Sequence, residues 1–419
     1  MAPPRFTQFF CAVNTGSFRI SAMIMGQTED GNLQVLGSGH RASNGIKRGY
    51  VTDMAAATYA IRDAVERAEK NAGGLTAETV LVGCAGAGLS SSVSRAEIKV
   101  DGRRIEDEDI ELLLTAAREA IKPEGQLVLH AQPAHYTIDG ARGVVDPRGM
   151  YAERLSVDVH VVFADRAPVR NLTEAVQKAH LDVEAVVAAP LATGYACLDS
   201  EERELGVALV EIGAEVTNVS VYAGGMLLGL KSIPLGSGDI TDAVASAFGL
   251  RRFQAERLKC VSGSAIASPN DHREMIPLNG PGEDEFGAIA RGADPKNRIA
   301  RADLVSIVTQ NLSILTNEIG RALKVLGFSG SKSGQVVITG GGAELAGLAE
   351  FLQSAIGMPV RVGKPPLLIG LPEAHSTPGF AALVGLCIYA AEEPADIRRG
   401  GKKPGLGIGR LFRAIRDNF

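Results

Sequence analysis

At 419 residues the chain is long enough for two to three domain-sized units, and 45% hydrophobic residues can supply a large core. Its 49 glycines, absent tryptophan and net charge of −5 fit an ordinary globular α/β protein and exclude a disordered, fibrous or general nucleic-acid-binding chain. The charge is uneven: from Arg398 onward there are seven basic side chains and one acidic, which leaves about −11 on the rest and points to an anionic partner for the end alone.

In chain order, three strand-like runs come first: FFCAVN (9–14), FRISAMIM (18–25) and LQVLGSG around residues 34–38. A helix follows in TDMAAATYAIRDAVERAEKNAG, capped by Thr52 or Asp53 and ended by Gly73. ETVLVGCAG (78–86) then reads as a buried strand, giving a β-β-β-α-β unit. From about Cys84 to Val161 the pattern changes to a compact α+β insert, with an acidic helix over Glu106 to Ile121. The α/β rhythm returns in the helix VRNLTEAVQKAHL and the strand AVVAAP.

GVALVEIGAEVTNVSVYAGG (206–225) repeats the opening pattern, with Glu211-Ile212-Gly213 matching Asn14-Thr15-Gly16. An internal repeat about 200 residues apart predicts two related lobes with a cleft between them. In GQVVITGGGAELAGLAEFL (334–352) the strand runs through Gly340, Gly341 and Gly342 into a helix, so the backbone can approach a ligand closely.

The five cysteines (Cys11, Cys84, Cys197, Cys260, Cys387) show no C-x-x-C spacing, which fits a reducing compartment. The opening MAPPRFTQFFCAVNTG does not read as a signal peptide, and no stretch reaches the roughly 18 apolar residues of a spanning helix. The expectation is a cytosolic protein with at most peripheral membrane contact. His130, His135 and His160 form no ligand spacing, and no metal held by protein side chains alone is expected. Residues 391–404 are polar and rich in Pro and Gly, which predicts a flexible linker. Beyond it, Ile408, Leu411, Phe412, Ile415 and Phe419 share one helical face, with Arg410, Arg413 and Arg416 on the flank and back. Such a tethered stripe fits its own core, a partner's groove or a membrane surface.

Two β-turn-β elements and a triple-glycine turn in this order resemble the phosphate and adenosine signature of the actin, hexokinase and heat-shock ATPase fold. The stretches HAQPAHYTIDGARGVVDPRGMYAERLSVDVHVV, DSEERELGVALVEIG, FGLRRFQAERLK and VVITGGGAELAGL resemble the bacterial cell-division protein family FtsA, and the resemblance runs from about Phe9 to the end. It implies an α/β, two-lobed actin-like (ribonuclease H-like) fold with an α+β insert subdomain beside the first lobe and a C-terminal amphipathic helix. The implied units are lobe 1 at 7–83 and 162–205, the insert at 84–161, the second phosphate hairpin at 206–226, an FtsZ-binding subdomain at 227–311, the adenosine motif and return at 312–390, a linker at 391–405 and the membrane helix at 406–419.

The resemblance further implies a non-enzymatic adaptor on the cytoplasmic face of the inner membrane at the division site. It would bind the C-terminal peptide of FtsZ, anionic lipids, later division proteins and further copies of itself in protofilaments, and no nucleic acid. Lys296, Arg298 and Arg301 would meet the FtsZ peptide. ATP with magnesium would fall to Asn14, Gly16, Ser17, Arg19, Glu211, Gly213, Thr217, Glu256, Lys259, Gly340, Gly341 and Gly342. The phosphate turns depart from the family: Asn14 replaces an acid, Phe18 a small hydroxyl residue, Arg19 a lysine, Glu215 a glycine and Val216 a hydroxyl residue. Weakened nucleotide binding without efficient hydrolysis is the expectation, with a cleft that binds nothing as the alternative. A working ATPase or sugar kinase and a pilus-assembly adaptor are the rival readings.

Overall fold

The computed structural model describes residues 5–86, 88–278, 298–328, 334–392 and 394–399. The expected amphipathic helix at 406–419, Lys296 and the loop 279–291 lie outside the described residues.

In the first lobe β1 (Phe6–Thr15), β2 (Arg19–Thr28) and β3 (Leu33–Ala42) form an antiparallel meander. A short hairpin, β4 (Ile46–Lys47) and β5 (Tyr50–Val51), precedes α1 (Met54–Asn71), and β6 (Thr79–Cys84) then lies parallel to β1. The Asp53 side chain starts α1 by accepting the Ala56 N–H at 3.0 Å. Ala57, Ala60, Ile61, Ala64, Val65 and Ala68 make its buried stripe. The glycines of LGSG explain how closely α1 lies on β3: a Cβ at Gly37 or Gly39 would sit 2.2 Å from the carbonyl oxygen of Ala68 or Ala64.

The insert follows as β7 (Ser90–Arg104), α2 (Asp107–Ala120), β8 (Leu127–Ile138), β9 (Ala141–Val144) and β10 (Tyr151–Ala164), with Ile105, Leu113 and Leu155 in its own core. α3 (Arg166–Lys178) and β11 (Asp182–Ala188) complete the first sheet in the order β11-β6-β1-β2-β3. Two helices, α4 (Ala189–Cys197) and α5 (Ser200–Leu205), lead to the second lobe.

There β12 (Val207–Ile212), β13 (Thr217–Ala223) and β14 (Met226–Ile233) repeat the meander. α6 (Ser237–Phe248), α7 (Arg252–Ser262), the pair β15 (Met275–Pro277) and β16 (Arg298–Ala300), and α8 (Arg301–Val325) form the added subdomain. β17 (Gln335–Thr339), a 3-10 turn at Gly341–Glu344, α9 (Leu348–Ile356) and β18 (Val360–Val362) close the sheet as β18-β17-β12-β13-β14. Both five-strand units thus share one order, with a parallel strand beside the first strand of each meander. The repeat read from two hairpins extends to whole sheets. α10 (Ala381–Glu392) is buried from Ala381 to Ala390 on all faces, as its uniformly apolar sequence requires. It crosses α4 so closely that a Cβ on Gly385 would stand 2.1 Å from the Ala192 carbonyl oxygen.

Three expectations need correcting. The insert is not only beside the first lobe: Ser90 of β7 pairs with Lys231 of β14, and Ser91 Oγ accepts the Leu230 N–H at 2.7 Å, so it extends the second lobe's sheet. The borders at 83/84, 161/162, 226/227 and 311/312 cut through β6, β10, β14 and α8, because each of these strands and the long helix is continuous. The expected linker at 391–405 is helical to Glu392, and residues 394–399 lie on the insert. Ile397 is the reason: it is buried in the insert's core, its carbonyl accepts the Arg118 Nε–H at 2.7 Å, and Arg398 Nη1 donates to the Val128 carbonyl at 2.9 Å.

Candidate functional site

The two meander hairpins face each other, and the triple-glycine turn closes the space between them. The cleft has a volume of about 500 Å³, within the usual size of a small-ligand site. Asn14, Gly16, Ser17 and Arg19 line it from the first hairpin, and Glu211, Gly213 and Glu215 from the second. Glu256, Lys259, Gly340, Gly341 and Gly342 line the remaining side. Thr217 does not join them, for its side chain is fully buried and donates to the Leu235 carbonyl at 2.8 Å.

The glycines of the third turn have different reasons. Gly340 has φ +84°, and a Cβ there would stand 2.5 Å from the Ile212 carbonyl oxygen. A Cβ on Gly342 would meet the Ile212 side chain at 2.4 Å. Both therefore let the turn sit on the end of β12. A Cβ on Gly341 would have nothing within 4 Å, so this residue keeps the cleft open.

The cations are already engaged. Arg19 Nη2 donates to the Gly379 carbonyl at 3.1 Å, and its guanidinium lies 3.8 Å over the Phe380 ring. Burial lowers the Arg19 pKa, while Glu344 acts in the other direction. Phe380 stacks on His375, whose Nδ1 is 3.1 Å from Ser38 Oγ. Lys259 is buried and uses its three protons on Ser237 O, Thr241 Oγ1 and Glu256 Oε2, at 3.0, 2.8 and 2.9 Å. The E-x-x-K pair is thus a closed network that also includes the Thr241–Glu256 hydrogen bond.

At the cleft floor Glu211 is pushed up to about 7, chiefly by burial, with Asn218 and Thr193 hydrogen bonds opposing. Asn218 is itself fixed: it accepts from Ser232 Oγ at 2.6 Å and donates to Glu211 at 3.4 Å. Glu215 points across the cleft mouth, and its Oε2 accepts the Arg48 backbone N–H at 2.8 Å. Phe380, Arg252 and Glu344 also line the cleft, yet no motif marks them. The only local hint was the Pro378-Gly379 turn ahead of an apolar helix.

The expected peptide-binding cations divide. Arg298 is exposed on β16. Arg301 is turned inward, with Nε donating to Ser262 O at 3.0 Å and Nη1 to the buried Asp271 at 2.8 Å. His130 and His160 are buried, and burial pulls His160 down to about 4. Among the described residues no group of three or more His, Cys, Asp or Glu side chains could hold a metal ion, and no helix is long and apolar enough to cross a membrane.

The glycine turns let backbone approach a cleft of nucleotide size. Asn14 is neutral, and Glu211 is near its midpoint at neutral pH.

Comparisons with known proteins agree with this architecture. A family model described as cell division protein FtsA matches residues 208–385, and one described as the SHS2 domain inserted in FtsA matches residues 86–163. The FtsA of Agrobacterium fabrum is 35% identical over 408 residues, covering 95% of this chain and 89% of that protein. The Escherichia coli K12 protein is 28% identical over 416 residues, 96% of each. Among solved structures, the PilM–PilN type IV pilus biogenesis complex superposes with a TM-score of 0.61 at 18% identity, over 93% of this chain and 100% of that one. MreB5 of Spiroplasma citri bound to ADP gives 0.55 at 12% identity, over 92% and 97%. These two likenesses show the actin-like fold. The near-full-length identity, the inserted domain and the two-hairpin cleft together place the chain in the FtsA family of cell division proteins.

Proposed function

We propose that this cell-division protein is an actin-like adaptor that tethers FtsZ filaments to the cytoplasmic face of the inner membrane and helps recruit later division proteins. The carrying observation is the 35% identity across 95% of the chain, joined to the apolar stripe of Ile408, Leu411, Phe412, Ile415 and Phe419. Five apolar side chains at the acyl boundary with Arg410, Arg413 and Arg416 at the headgroups make a reversible anchor, each basic residue adding about 1 kcal/mol on an anionic surface. Self-association would multiply so weak an anchor by avidity.

The FtsZ peptide would bind the 227–311 unit, where Lys296 and the exposed Arg298 supply charge and Arg301 supports the surface from within. ATP with magnesium is the ligand class proposed for the cleft, weakly held and not efficiently hydrolysed. Gly16, Ser17 and Gly213 would face its phosphates, and Gly341 would face its adenosine side. Bound nucleotide would supply charge that bridges the two hairpins.

One flotation experiment tests the tether. Purified protein should carry FtsZ to vesicles of anionic phospholipid. Leu411→Glu with Phe412→Glu should remove both proteins from the lipid, whereas Arg298→Glu should remove FtsZ alone. If the double variant still floats, the anchor is elsewhere. If Arg298→Glu still carries FtsZ, the peptide surface is elsewhere.

A further inference from the structure

The second hairpin places a carboxylate, Glu215, in the lining of the cleft. Glu215 stands two residues beyond Gly213 and lines the cleft together with the first hairpin's Gly16 and Ser17. It is held there from the other lobe. Arg48, in the turn between β4 and β5, has φ +49° and donates its backbone N–H to Glu215 Oε2 at 2.8 Å. The Arg48 guanidinium reaches Asp239 Oδ1, at the start of α6, at 3.4 Å. One residue of the first lobe thus touches two carboxylates of the second.

The neighbouring contact is equally close. A Cβ on Gly86, which has φ +82°, would lie 2.7 Å from Val216 Cγ2. The turn of the second hairpin therefore abuts the first lobe through a Val216 methyl group. The nearby cations are engaged: Arg19 is held by Gly379 and Phe380, Lys259 by three oxygens, and Arg252 Nε by Asp242 at 2.7 Å, although the Arg252 guanidinium also feels the Glu215 charge.

We propose that Glu215 acts as a built-in surrogate for a terminal phosphate, so that the cleft selects a nucleoside diphosphate over a triphosphate. The proposal rests on the reading of the cleft as an adenine-nucleotide site and moves its preferred ligand from the weakly held ATP to ADP. A diphosphate leaves the Glu215–Arg48 bridge in place. A triphosphate adds a charged group beside the carboxylate and must break that bridge. Like charges at such range lower the affinity for the triphosphate by about 10- to 100-fold.

The test is titration calorimetry of the full chain at pH 8 with ADP and ATP, each with and without magnesium. The ratio of the two affinities is the readout, for the unaltered protein, Glu215→Gly and Glu215→Gln. The unaltered protein should prefer ADP by about tenfold or more. Glu215→Gly should bring the ratio near unity or reverse it. Glu215→Gln, which keeps the shape and removes the charge, should move it part of the way and stands in if the glycine variant does not fold. Equal or tighter ATP binding by the unaltered protein overturns the selectivity but leaves a nucleotide site. A ratio unmoved by either variant overturns the role of Glu215. No binding of either nucleotide to any of the three proteins overturns the nucleotide reading and this inference with it.

Discussion

In the first hairpin Gly16 tucks beneath the carbonyl of Arg19, and in the second Gly213 tucks beneath that of Val216. A Cβ would meet those oxygens at 2.9 and 2.8 Å. The two backbones are near copies, but the side chains they present are not. Arg19 reaches away to Gly379 and Phe380, whereas its counterpart Val216 presses on Gly86 of the opposite lobe. Phe18 is 59% exposed, whereas its counterpart Glu215 is tied to Arg48. Asn14 cannot titrate, whereas its counterpart Glu211 is poised to. The comparison separates two demands on one motif. Glycine is kept for the turn itself, and the flanking positions are free to carry any chemistry the cleft tolerates.

The largest expected effect lies at the third turn, which sits directly on the end of β12. Gly340→Ala adds a Cβ 2.5 Å from the Ile212 carbonyl oxygen at φ +84°. Strain and overpacking together should cost about 4 kcal/mol in urea unfolding. A loss below about 1 kcal/mol would mean that the turn does not need to sit on β12.

That turn was legible in the sequence because its cause is local: three glycines between a strand and a helix. The hairpins, their repeat and the α1 stripe were legible for the same reason. What escaped were contacts between distant residues. Arg19 meets Gly379 across 360 positions, and Arg48 meets Glu215 across 167. Neither pair carries periodicity or spacing. The inward turn of Arg301 escaped as well, since a basic residue in DPKNRIARADL reads as solvated until Asp271 is seen buried beneath it. Ile397 had a faint signal, as one apolar residue in a polar stretch, and its burial in the insert's core needed the fold.

The next effect asks whether the two hairpins are as alike in energy as in shape. Gly16→Ala and Gly213→Ala should each cost about 2 kcal/mol, because each meets one carbonyl oxygen at nearly the same distance. Thermal unfolding of the pair is the measurement. A cost confined to one variant would show that the other turn can relax, and the equivalence would fail.

The smallest effect is the one most specific to the second hairpin. Glu211 has its folded pKa raised to about 7 from 4.5, chiefly by burial. The folded state therefore keeps a proton that the unfolded chain has lost. Its contribution to stability is fully present below about pH 4.5, falls as the pH rises through 7, and is flat above that. Glu211→Gln removes this dependence and keeps the hydrogen-bonding shape. The stability difference between variant and parent should move in the variant's favour by roughly 1–2 kcal/mol between pH 5 and pH 8, allowing for the carboxyl's opening to the cleft. Taking the difference cancels every other titrating group, and Asn14, the counterpart in the first hairpin, has none to contribute. A difference that stays constant with pH would place the Glu211 charge in a better-solvated site than its surroundings provide, and the two hairpins would then differ in side chain but not in electrostatics.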